Sequence, residues 1–109
     1  MGEVLKVLGQ ASPAAATQVD LYTVPAATQV VVSTFHICNQ NAAKVKVRVR
    51  VRINGASNAN SQYLLFDASV LGNDFTTFTI GMTLGAGDVV SVQSDTTLTS
   101  FQLFGTEVT

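Results

Sequence analysis

The sequence lacks most of what an enzyme uses. In 109 residues it has one histidine, one cysteine and no tryptophan. The lone Cys38 excludes an internal disulfide and fits assembly in a reducing cytoplasm. The lone His36 leaves no second imidazole for a metal cage or a proton relay. Charge is also scarce, at 12% of residues, about half of the roughly 25% usual in soluble domains. Much of the outer surface is then left to the uncharged residues Thr, Ser, Ala, Asn and Gln, which are more easily desolvated than ions and suit burial against other subunits. A net charge of −1 supplies no field that would steer the chain to nucleic acid or membrane. No run approaches the ~18 apolar residues of a membrane-spanning helix. The first ten residues, MGEVLKVLGQ, do not pair a basic segment with a long apolar one, so no secretory leader is expected. Lysine at position 6 also breaks the myristoylation pattern after Gly2.

What is present is alternation. In KVKVRVRVRI, residues 44–53, Val45, Val47, Val49, Val51 and Ile53 share one parity. Lys44, Lys46, Arg48, Arg50 and Arg52 share the other. Successive strand side chains point to opposite faces, so this is a strand with one apolar and one basic side. A helix would scatter these β-branched valines around its axis. The same reading predicts strands at 3–9, 20–24, 29–38, 62–66, 75–80, 89–92 and 98–104. Segment 29–38 is apolar on both parities, as in a central strand. Turn chemistry separates the strands: Asn54-Gly55, Gly72-Asn73-Asp74, Gly85-Ala86-Gly87-Asp88 and Ser94-Asp95. The small, polar stretch 11–18 reads as a linker. The expectation is an all-β single β-sandwich of about eight antiparallel strands, jelly-roll-like, with an immunoglobulin-like sandwich as the alternative. Residues 1–18 form an N-terminal arm or first strand plus linker, and 19–109 the sandwich.

Chemistry finds little purchase. His36 and Cys38 share a strand face, but their Cβ atoms lie roughly 6–7 Å apart at ~3.3 Å per residue, beyond a nucleophile–base contact. The carboxylates are dispersed, and most neighbour turns, where Asp caps backbone groups. LGAGD at 84–88 lacks the ending of a phosphate-binding loop and precedes a strand. No catalytic residue, metal site or cofactor is expected. Two features suggest protein contacts instead. Val4, Leu5, Val7 and Leu8 form an apolar segment before the linker, either a first strand or an arm that adds to a neighbour's sheet edge. The basic row Lys44, Lys46, Arg48, Arg50 and Arg52 spans ~27 Å. It reads as a solvated guard on an edge strand, as one side of an acidic contact across a strand or subunit interface, or as a polyanion site. The last is the weakest reading, for want of a basic surplus and of exposed aromatics.

The segment DLYTVPAATQVVVSTFHICN, residues 20–39, resembles a pattern in small structural proteins of tailed bacteriophages. Tyr63-Leu64-Leu65-Phe66-Asp67, Gly81-Met82-Thr83-Leu84 and Phe104-Gly105 are similar to later parts of it. The resemblance implies a non-enzymatic virion component of head decoration (cement) type, made in the bacterial cytoplasm. It implies binding to the major capsid protein on the shell's outer surface, and self-association as a homotrimer. The alternatives are a tail, baseplate or fibre β-domain, and a carbohydrate-binding module at a tail tip. The absence of tryptophan and the presence of only Tyr22 and Tyr63 as phenols weigh against the carbohydrate module.

Overall fold

The computed structural model describes residues 2–109. The strands are β1 (Glu3–Ala11), β2 (Val19–Thr23), β3 (Gln29–Asn39), β4 (Val45–Arg52), β5 (Tyr63–Val70), β6 (Asp74–Phe78), β7 (Met82–Leu84), β8 (Val89–Ser94) and β9 (Thr99–Val108). They form two antiparallel sheets packed as a sandwich. One runs β1-β9-β3-β6, with β7 also on β3, and the other runs β2-β8-β4-β5. The pairings nest: β1 with β9, β2 with β8, β3 with β6 and β7, β4 with β5. The chain is therefore one long hairpin whose tip is the β4–β5 loop. Rolling it up adds the pairings β3–β9 and β4–β8. This is the jelly-roll order and not an immunoglobulin one.

Nine strands fill eight positions because one position is split. β6 pairs with β3 at Phe35 to Asn39, and β7 pairs with it at Val30 to Val32. Thr79, Ile80 and Gly81 separate the two. The sequence reading ran the sixth strand through 80 and assigned no strand to 81–84. Met82–Leu84 is instead a short strand of its own.

The alternation in the sequence becomes the core. Val45, Val47 and Val49 of β4 face Val30, Val32, Phe35 and Ile37 of β3, with Val90, Val92, Phe101 and Leu103 beside them, all buried. Each such side chain contributes about 1.5–3 kcal/mol through burial. Phe35 and Phe101 stack at 6.3 Å between centroids. The turns behave as their residues require. Asn54 and Gly55 both adopt positive φ, at 52° and 69°, but the loop continues through a second single turn of 3-10 helix, Asn60–Gln62, before β5. Asp88 accepts from the backbone N–H groups of Gly85 and Asn54, tying the β7–β8 turn to this tip. The linker is also fastened: Ala16 N–H donates to Ser94 O at 2.8 Å, and the Gln18 and Asn58 amides bond reciprocally.

Candidate protein interaction surfaces

The basic row lies on β4, which is flanked by β8 and β5. It therefore guards no edge, and that reading of the sequence is corrected. Three of its members are occupied within the chain. Between the pairs Val49–Leu65 and Val47–Ala68, two residues of β5 oppose the single Arg48. This bulge holds Asp67 at φ 54°, a conformation that Asp tolerates better than most residues. It brings two partners to one guanidinium. Arg48 Nε donates to Asp67 Oδ1 at 2.7 Å, and the Phe66 ring lies 4.3 Å from the guanidinium carbon. Asp67 is held below the usual carboxylate range, chiefly by this hydrogen bond. Arg50 lies over Tyr63 at 4.0 Å and donates to its hydroxyl and to Ala59 O. Arg52 donates to Asp20, Ser91 and the carbonyls of Gly55 and Ala56. Lys44 precedes the strand, and among the described residues neither it nor Lys46 has a side-chain bond. Asp67 and Asp20 are thus ion-pair partners of Arg48 and Arg52.

The N-terminal apolar group is divided. Val4, Leu5 and Val7 are exposed on β1, Leu5 at 80%. The β1–β9 register shifts between Val7 and Gly9, and Leu8 turns into the core. Leu8 is therefore a packing residue, contrary to its expected role at an interface. Glu3–Ala11 belongs to the five-stranded sheet and forms its free edge.

That side of the sandwich is latched. Tyr22 on β2 donates its hydroxyl to Glu107 Oε2 at 2.5 Å, and Lys6 donates to Oε1 at 3.3 Å. The latch joins both sheets through β1, β2 and β9. Burial pushes the Tyr22 phenol well above its ordinary value, and the Glu107 carboxylate adds to the shift. Glu107 is held below the usual carboxylate range, first by Tyr22 and then by Lys6. A lowered carboxylate contributes stability above its unfolded value of ~4.3, and loses it as pH falls through the folded value. A raised phenol contributes stability below ~10 and loses it as pH climbs above that value. Tyr22→Phe is therefore expected to melt earlier than wild type at neutral pH. The gap should narrow in acid as Glu107 protonates, and narrow again above pH ~10. Thermal melts across pH check this; a gap that does not change with pH contradicts the latch.

The outer face of the central pair β3 and β9 is uncharged. β3 turns Val31, Ser33, Thr34, His36 and Cys38 outward, while its alternate residues are buried. β9 does the same with Ser100, Gln102, Phe104 and Thr106. No Asp, Glu, Lys or Arg stands on the outward parity of either strand. His36 stacks on Phe75 at 5.2 Å, and its Nδ1 lies 2.7 Å from Thr77 Oγ1. The imidazole is thus engaged with β6 rather than with Cys38.

On the side opposite β1, the edge strands β5 and β6 leave an apolar notch of about 290 Å³, lined by Phe35, Leu64, Leu65, Phe78 and Ile80. Of its lining residues, Leu64 and Ile80 are exposed. The sequence reading missed this wall. Its signal was Tyr63 to Phe66, apolar on both parities in a strand that turned out to be an edge. Among the described residues, no three His, Cys, Asp or Glu side chains gather to hold a metal ion. No family model matches the chain, and no curated protein matches it significantly in sequence.

Proposed function

We propose that this protein is a non-enzymatic structural subunit of a tailed-phage virion, a decoration protein that binds the outer surface of the major capsid shell. The observation that carries the binding role is the uncharged outer face of β3 and β9, which can be desolvated without stripping water from a single ionised group. The capsid as partner rests on the resemblance of residues 20–39, 63–67, 81–84 and 104–105. A decoration protein works by adding interface between shell subunits, and several weak contacts made by one oligomer multiply into strong attachment.

The test is co-sedimentation of the purified chain with expanded heads of the phage that carries it. Val31→Asp puts a carboxylate on the face between β9 and β7, at a side chain that is already 48% exposed, so the fold tolerates it. Head binding is expected to weaken at least about tenfold, the consequence of desolvating an unpaired charge. Unchanged binding by the variant overturns the face. Binding of the wild-type chain to isolated tails and not to heads overturns the decoration role in favour of a tail or baseplate one.

A further inference from the structure

The five-stranded sheet ends on β1, and the other edges of the sandwich are shorter or broken. β2 has five residues, β6 five and β7 three. β5 has eight, but its ladder with β4 shifts twice and Asp67 kinks it at φ 54°. β1 has nine residues and pairs with β9 in unbroken register from Glu3 to Val7. Its charges there are Glu3, at the start, and Lys6, which is turned to Glu107. It has no proline and little of the charge that usually keeps a second strand off an edge.

The hydrogen-bond pattern decides which groups this edge offers. Gly2 and Thr109 exchange both backbone bonds, at 2.9 and 2.8 Å. Such pairs alternate along an antiparallel ladder with pairs that exchange none. Val4 and Lys6 therefore bond to β9, whereas Glu3, Leu5 and Val7 point their N–H and C=O groups away from it. The side chains of Leu5 and Val7 lie on the outer face of the sheet. Leu5 stands in a row with Thr106 and Val31, and Val7 in a row with Phe104 and Thr34. Both rows continue the uncharged face of β3 and β9 onto β1. Leu5 and Val7 are thus open in two ways. Their side chains are exposed, and among the described residues their peptide groups have no partner.

We propose that β1 receives a strand: an extended, uncharged segment of the shell protein pairs with Glu3, Leu5 and Val7 and carries the five-stranded sheet one strand further. The inference rests on the capsid reading and names the element of the partner that makes the contact. An extended backbone is the fitting occupant because alternating N–H and C=O groups are what an open strand edge is missing. The added strand lies ~4.8 Å beyond β1. Its residues beside Leu5 and Val7 share the outer face and prolong the two rows, so apolar side chains there bury the exposed carbons of both. About five residues in extended form span the stretch from Glu3 to Val7. The N-terminal segment is then a receiving edge within its own sheet and not an arm that reaches into a neighbour's.

The experiment is hydrogen exchange of the full chain, free and bound to expanded heads, read at single amides of β1. The Val4 and Lys6 amides are bonded to β9 in both states and serve as the reference. The Leu5 and Val7 amides are expected to exchange fast in the free chain and at least about tenfold more slowly on heads. Two variants give a second reading, with thermal melts to check that they fold. Leu5→Ala removes the side chain and keeps the N–H. Leu5→Pro also removes the N–H and puts a ring where the added strand must lie, at a position whose N–H serves no bond within the sheet. Leu5→Pro is expected to bind heads at least about tenfold more weakly than Leu5→Ala. Leu5 and Val7 amides that still exchange fast on heads overturn the proposal and leave the capsid reading standing. Equal binding by the two variants does the same. Amides already protected in the free chain assign the edge to a second copy and also overturn it. A wild-type chain that does not sediment with heads overturns the capsid reading and this proposal together.

Discussion

Replacing Asn39 by leucine is expected to destabilise the sandwich by roughly 3–5 kcal/mol, although the two side chains are close in size and the site is buried. Asn39 closes β3 at 1% exposure. Its Nδ2 is shared among the carbonyls of Ala43 at 2.9 Å, Leu71 at 3.1 Å and Val70 at 3.2 Å. Its Oδ1 accepts from the backbone and side-chain nitrogens of Asn41. One amide thus ties the end of β3 to the end of β5 and to the β3–β4 turn, across both sheets. Leucine fills the space and leaves those groups unpaired where water cannot reach them, at about 1–3 kcal/mol each for the ones fully buried. Small domains hold only about 5–15 kcal/mol in total, so the urea midpoint should fall sharply. Asn39→Asp separates the hydrogen-bond account from one of shape. A carboxylate there would aim one oxygen at three carbonyls, which raises its folded pKa above the unfolded ~3.9. The protonated acid, able to donate, fits better. Relative to wild type, this variant should be least stable at neutral pH and recover as pH falls towards 4, the reverse of the trend set by Glu107. A defect independent of pH would mean that the carbonyls are not what Asn39 serves.

The strands were legible wherever alternation and β-branching agreed. Residues 44–53 gave β4 almost to the residue, because Val45, Val47 and Val49 had to share a buried face. The turn residues located most of the boundaries. Three things were not legible, and all three depend on bulges or on pairing between distant segments. Leu8 looked like its apolar neighbours, and only the extra residue in the β1–β9 ladder sends it inward. The Arg48 partner lies 19 residues away and the Arg52 partner 32 residues away. Asp67 reaches its arginine because two residues of β5 face one of β4, which no local pattern encodes. The apolar wall of β5 and β6 was hidden for a third reason. A strand apolar on both parities reads as central, as β3 indeed is, yet β5 is an edge. Apolar side chains at an edge mark surface that another molecule can cover, and sequence alone does not distinguish this from burial within the chain.

Gly105→Ala is expected to cost more than about 3 kcal/mol, at or beyond the top of the range for overpacking, while Gly81→Ala changes stability by less than ~0.5 kcal/mol. Both add one methyl group, and the difference is what each meets. A Cβ on Gly105 would stand 2.3 Å from the carbonyl oxygen of Val31, 3.0 Å from the Cα of Val32 and 3.1 Å from a methyl of Leu8. Leu8 can turn aside, but the backbone of β3 cannot move without opening its pairing with β9. The crowding sits where two irregularities coincide. The β3–β9 register shifts between Val32 and Thr34, and the β1–β9 register shifts between Val7 and Gly9. The strands approach too closely there for any side chain on β9. Gly81 lies in the break between β6 and β7, with no atom within 4 Å of its added Cβ. Paired thermal melts of the two variants read the contrast, and equal midpoints would contradict the close approach of β3 and β9. The consequence reaches the proposed role. β9 carries Gln102, Phe104 and Thr106 along the middle of the uncharged face, so a β9 pushed away from β3 also deforms that face. Any folded fraction of Gly105→Ala should therefore bind heads more weakly than Gly81→Ala does at equal folded concentration.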